Sequence, residues 1–495
     1  MTDINSSISS KNEENPKNLV QTQEQEEENY LPEFTPEELQ RLNKIYWKLD
    51  LRIIPALWLL YFLTSFGSSA YGNTLTMNSE SHHSLSQTLK LTTHDTSTAS
   101  ALYYVGYIIF DVPMNMIMTR LAPQAWLSRI VFTVGLVYAC YASLSNSGGI
   151  IAVRFISGIA GAGTWPGLSY YVSLWYPPHR ITRRIGYYFT AAQLSAAAAG
   201  LVAAGFQKMD MIHGLEGWRW LFLVYGVITI FVSLLLLVWL PDNDLSRYEA
   251  TSKFGIINRL KKLNVFPLTP EEHELHQREM SHYNKKINWG LKDVWNIFKD
   301  INVWPLIMMY FGVVGTGFGL AVFGTTLIKA VLGVSSINVS LLYAPIWLFD
   351  LGAILLITPF SDIFKKFKPL IFSLATLIII IGLVVCNYAQ GKWSRYGGLL
   401  ISGFGLGPTV PTCMSMTSEI FGSKYGDIGI AVSSALVSGL GNLGSVMATY
   451  ALYSGWPEDK ARTFEYSNMM LVVILGVSII SAGISTILTR RNKQI

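Results

Sequence analysis

Charge is what this sequence has least of. Of its 495 residues 14% are Asp, Glu, Lys or Arg, whereas 51% are hydrophobic. Water-soluble domains carry about a quarter charged residues, so much of this chain must face something other than water. Cysteine is scarce too: Cys140, Cys386 and Cys413 each sit in an apolar run, which argues against a disulfide scaffold or a cysteine-based zinc site. The eight histidines fall in loops or near helix ends, with no metal-ligand spacing. No Gly-x-x-x-x-Gly-Lys-Ser/Thr occurs, so a P-loop pump would lack its engine. No nucleophile–base or metal constellation lies in the apolar spans. An enzyme is therefore not expected, and neither a cofactor nor a nucleic-acid partner is. A cleavable signal is not expected either: the first stretch is polar and acidic, with Glu24, Glu26, Glu27 and Glu28. It reads as a disordered tail that stays in the cytosol.

What is present is a series of long apolar runs. Crossing a ~30 Å hydrocarbon core takes about 20 residues, and such runs recur near 53–74, 97–119, 126–146, 149–172, 185–206, 219–240, 303–328, 338–360, 369–390, 396–417, 428–452 and 466–489. We number these spans 1 to 12. The expected fold class is an all-α membrane protein of twelve transmembrane helices. With a cytosolic N-terminus, the inner loops carry Arg120, Arg129, Arg180, Arg183, Arg184, Lys365, Lys366, Lys368 and Lys424, and the outer loops carry fewer basic residues, as the positive-inside rule requires. Both termini are then cytosolic.

A polar loop separates six spans from six. The expected organisation is a disordered tail over 1–45, a first half over 46–240, a cytosolic linker over 241–302, a second half over 303–489 and a short tail over 490–495. Within the linker Thr269 and Pro270, followed by Glu271 and Glu272, open one helix. Such a layout predicts pseudo-symmetric halves. The run Ser157-Gly158-Ile159-Ala160-Gly161-Ala162-Gly163-Thr164-Trp165-Pro166 in span 4 aligns with Ser402-Gly403-Phe404-Gly405-Leu406-Gly407-Pro408-Thr409-Val410-Pro411 in span 10.

A charge inside a bilayer is unfavourable by at least roughly 2.5–3.5 kcal/mol, which makes it a functional candidate. Three lie well inside the spans: Asp111, Arg154 and Asp350. Asp350 and then Asp111 are candidates for proton coupling, and Arg154 for substrate binding. The competing reading is an internal ion pair that only braces the bundle. Asn73, Trp165, Tyr171, Gln193, Tyr310 and Asn442 are further substrate-binding candidates, with Tyr104, Tyr107, Tyr170 and Trp347 as other polar or aromatic residues able to line a wet cavity.

The chain resembles the major facilitator superfamily. More narrowly, it is similar to the anion:cation symporters, the fungal allantoate-permease-like group. The resemblance rests on Leu49-Asp50, Asp111-Val112-Pro113-Met114-Asn115, Arg154 with Gly158 and Gly163-Thr164-Trp165-Pro166-Gly167, Tyr171 to Pro177, Gly217-Trp218-Arg219-Trp220-Leu221-Phe222 and Leu240-Pro241-Asp242. A looser match follows at Pro359-Phe360-Ser361-Asp362 and Gly441-Asn442-Leu443-Gly444. The resemblance implies alternating access, with spans 1, 4, 7 and 10 lining the site. The sequence departs from the family at Gly67-Ser68-Ser69-Ala70, where an Asp-Arg-x-Asn cluster is usual, and at Gly161 and Tyr225, where acids are usual. The expected function is import of a small organic anion, such as a carboxylate vitamin or ureide, by proton symport across the plasma membrane. The expected partners are that solute, protons and the lipid bilayer. A nutrient sensor of the same fold and an exporter of drugs or weak acids are the alternatives.

Overall fold

The computed structural model describes residues 34–242, 268–281, 291–363, 367–453 and 456–492, and their regular structure is helical. Among the described residues eleven helices are long and apolar enough to cross a membrane. A twelfth, Thr93–Arg120, occupies the expected span 2. Span 1 lies in Pro36–Thr74, span 3 in Pro123–Cys140, span 5 in Pro178–Phe206 and span 6 in Gly217–Trp239. Spans 7, 8, 9 and 12 are Val303–Leu332, Ser336–Ile363, Lys368–Tyr388 and Glu465–Asn492. Spans 10 and 11 share one helical segment, Thr409–Gly441. It turns back where Gly429 meets the Phe421 carbonyl, so close that a Cβ would stand 2.3 Å from that oxygen.

Spans 4 and 10 break at the aligned positions of the repeat. Span 4 runs Ser147–Gly161 and restarts as Thr164–Ser173. Span 10 runs Lys392–Leu406 and restarts at Thr409. Thr164 and Thr409 make the same contact, each hydroxyl donating at 2.6 Å to the carbonyl three residues back. The internal repeat is thus a repeated backbone device.

Contacts divide the described residues into two units. The smaller holds the first helix up to Lys48 together with the linker helix Pro270–Met280. Thr269 caps that helix reciprocally with Glu272 and Pro270 takes the first position, as expected. Within this unit the Tyr46 hydroxyl donates to Glu279 at 2.8 Å, and Lys48 pairs with Glu272 at 2.5 Å. Residues 1–33 of the expected tail lie outside the described residues. From Pro36 the chain is helical rather than disordered. Thr35-Pro36-Glu37-Glu38 repeats the Thr269-Pro270-Glu271-Glu272 start signal, and the Glu38 carboxylate accepts from the Thr35 N–H at 2.9 Å.

The larger unit contains both six-span halves. Spans 2 and 4, 3 and 6, 7 and 12, and 9 and 10 pair within the halves, and span 5 packs on span 8 between them. The motif residues outside the spans' interior act as anchors. Arg184 grips Asp50 with two hydrogen bonds of 2.6 Å, a bidentate geometry that only a guanidinium supplies. Gln124 donates to Asp242 at 2.8 Å, and Arg219 pairs with Glu216 at 2.5 Å while reaching the Ala142 carbonyl.

Candidate functional site

Arg154 is fully buried in the first part of span 4. Its guanidinium carbon lies 4.0 Å from the centre of the Tyr71 ring on span 1 and 4.4 Å from that of Tyr103 on span 2. Tyr104, Tyr138 and Tyr141 complete the surroundings. Its Nε reaches only the Ala99 carbonyl, at 3.4 Å, and both terminal nitrogens lack a hydrogen-bond partner. The hydroxyls of Tyr71, Tyr104 and Tyr138 lack one too. Among the described residues no ion pair joins Arg154 to an acid, so the bracing pair with Asp350 or Asp111 is not formed. A desolvated cation–π contact contributes about 2 kcal/mol. Two of them offset part of a burial penalty of several kcal/mol for an ion. The remainder is a demand for a counter-charge.

The two aspartates are used differently. Asp111 accepts from the Gly163 N–H at 2.9 Å. Gly163 opens the second part of span 4 with φ +81°, a left-handed conformation that glycine takes without strain. Asp111 therefore caps the restart of a broken helix. The aligned residue in span 10 is Pro408, which has no N–H to cap. Asp350 on span 8 stands beside that second break: a Cβ on Gly407 would lie 2.8 Å from its Oδ1. That oxygen is buried and has no partner. The side chain acting on Asp350 is Gln193 of span 5, from the other half, and the Oε1 of Gln193 is likewise buried without a partner.

The remaining candidates scatter. Trp165 belongs to an aromatic cluster, with ring centres 5.7 Å from Tyr61, 5.9 Å from Tyr188 and 5.2 Å from Phe189. The Tyr310 ring packs on Gly441, next to the half-buried Asn442. Asn73 is buried and spends its amide on the Ser69 carbonyl at 3.1 Å, leaving Oδ1 without a partner. Tyr171 lies elsewhere: its hydroxyl donates to the Pro241 carbonyl at 2.6 Å and ties span 4 to the end of span 6. Sequence reading missed the Tyr71–Tyr103 cage. The residues come from three spans, and nothing in their spacing announces the meeting.

At the end carrying the 75–91 loop, polar contacts join the halves. The Thr325 hydroxyl donates to the Gly72 carbonyl at 2.9 Å, and Gln207 donates to Ser340 at 2.9 Å. Glu80 accepts from the Ser336 N–H at 2.9 Å and from its hydroxyl, and pairs with Lys329 at 3.2 Å. Partial burial pushes the Glu80 carboxyl up, but the hydrogen bonds from Ser336 and Lys329 outweigh it and hold the group below the ordinary glutamate range. The Tyr104 and Phe318 rings, 4.9 Å apart, continue the seam inward.

Comparison with known proteins agrees with this architecture. A family model described as Major Facilitator Superfamily matches residues 57–449. The chain is 47% identical over 471 residues to Vitamin H transporter 1 of Schizosaccharomyces pombe, covering 92% of this chain and 82% of that one. It is 44% identical over 462 residues to the S. pombe transporter C1B3.15C, covering 91% and 73%. Among solved structures, a bacterial homologue of the human lysosomal transporter Spinster, inward-facing and unoccupied, superposes with a TM-score of 0.62 at 16% identity, over 88% of this chain and 96% of that one.

Proposed function

The chain belongs to the Major Facilitator Superfamily, and from that premise we propose that it imports a small carboxylate by proton symport and alternating access. It is a multi-pass membrane transporter and not an enzyme. The observation that carries the substrate class is Arg154, a buried guanidinium whose two terminal nitrogens have no partner and whose neighbours are tyrosines. A carboxylate offers the planar pair of acceptors such a fork fits. The relative named for vitamin H supports biotin, a monocarboxylic acid, as the first solute to try. The anion:cation symporter group is the branch that best accommodates this reading.

Asp350 is the proton carrier in this proposal. Its Oδ1 is buried and without a partner beside the span 10 break, where Pro408 offers no N–H to cap, whereas Asp111 accepts from the Gly163 N–H. With both termini cytosolic in the plasma membrane, the seam at Gly72 and Glu80 closes the outer face.

The reading is tested with labelled biotin in cells lacking their own uptake. The expected result is concentrative, pH-dependent uptake that unlabelled biotin inhibits and its neutral methyl ester does not. Equal inhibition by the ester would remove the carboxylate, and with it Arg154, from recognition. Arg154→Lys keeps the charge but loses the fork, and should weaken affinity at normal surface expression.

A further inference from the structure

The two rings that hold Arg154 have different moorings. Tyr103 is fixed within its own half: Gly158 of span 4 approaches its carbonyl so closely that a Cβ would lie 2.1 Å from the oxygen. Tyr71 adjoins a contact with the opposite half. It immediately precedes Gly72, whose carbonyl receives the Thr325 hydroxyl and whose Cα faces the Ala321 and Val322 carbonyls of span 7. The contact that joins the halves at that end therefore lies one residue from a ring that covers Arg154.

A deeply buried cation must be compensated at every stage of a transport cycle. In the loaded carrier the substrate anion does this. In the empty carrier no anion is there, and among the described residues no acid pairs with Arg154. We propose that Tyr71 is the internal stand-in for the substrate: together with Tyr103 it closes over the Arg154 guanidinium when the site is empty, and so lets the unloaded carrier pass through its sealed state. Tyr71 is a positioning residue in this scheme, and the scheme rests on the reading of Arg154 as the anion contact. Contact through the ring face, with the hydroxyl unpartnered, makes the ring and not the hydroxyl the essential part.

Net uptake requires the empty carrier to return, whereas exchange of internal for external substrate moves only the loaded one. Tyr71→Leu should lower net uptake of labelled biotin about tenfold or more, the scale of one desolvated cation–π contact, and leave counterflow exchange near wild type. Tyr71→Phe should keep both. Equal loss of uptake and exchange, or no loss of either, would overturn the proposal. A second measurement does not depend on transport. In purified substrate-free protein, Tyr71→Leu should lower Tm when Arg154 is present and have little effect in an Arg154→Gln background, where no charge needs covering. Additive Tm changes would remove the cage. Unchanged biotin affinity in Arg154→Lys would instead remove the anion contact, so the two readings fail separately.

Discussion

The Thr325 hydroxyl donates to the Gly72 carbonyl at 2.9 Å and fastens span 7 of one half to span 1 of the other. Around this bond the two backbones run too close for any side chain at position 72. A Cβ there would stand 2.4 Å from the Ala321 oxygen and 2.7 Å from that of Val322.

Gly72→Val should therefore obstruct closure of this end without disturbing either half. Overpacking of this kind is unfavourable by about 1–3 kcal/mol, which shifts the closed-to-open ratio about 5- to 150-fold. The expected phenotype is normal surface expression, retained substrate binding from outside and strongly reduced uptake. Wild-type uptake in Gly72→Val would show that the contact is not part of the cycle.

The two aspartates should separate cleanly. Asp350→Asn is expected to abolish accumulation against a gradient and to spare counterflow, because a carboxamide keeps the shape but carries no proton. Asp111→Asn should be tolerated, since its carbonyl oxygen can still accept from Gly163. Asp111→Ala leaves that N–H buried and unsatisfied, an expected loss of about 1–3 kcal/mol of stability. Thermal unfolding and paired uptake and exchange assays check all three. Surviving pH-driven accumulation in Asp350→Asn would transfer the proton to Asp111.

The Glu80 contact predicts a pH dependence of closure. Its carboxyl titrates below the ordinary glutamate range in the closed state, so the stabilisation is complete above that range. It is lost as the outer pH falls through the lowered value. The side chain is 53% exposed, so the effect stays under about 1 kcal/mol. Accessibility of the outer face to a thiol probe, at a cysteine introduced nearby, should rise with acid in the parent and not in Glu80→Gln.

Asp50 and Arg184 form a bidentate pair whose arginine side chain is 9% exposed and lies 4.1 Å from the Tyr176 ring centre. Asp50→Ala should destabilise the protein by about 1–3 kcal/mol, read as a lower Tm in detergent. Arg184→Lys should recover little of it, because a point charge cannot make both bonds.

The number of spans, the division into two halves and the repeated run in spans 4 and 10 were legible in the amino-acid order; that the run breaks both helices was not. Each is a local property: a span's length, a loop's charge, a glycine or proline at the same place in two runs. The helical start at Thr35-Pro36-Glu37-Glu38 carries the same signal as Thr269-Pro270-Glu271-Glu272, although it lies within the stretch expected to be disordered. The sequence also isolated Arg154, Asp111 and Asp350, since an ionisable group in an apolar run stands out wherever it is packed. It could not say what each one faces. Asp111 meets a backbone N–H created by a left-handed glycine in another span, Asp350 meets Gln193 across the halves, and Arg154 meets the faces of Tyr71 and Tyr103 where an acid had been the alternative. Membrane exclusion acts on single residues and leaves its mark in composition. The compensation of a buried charge is a matter of ångströms between spans far apart in the chain, and only the tertiary packing sets those distances.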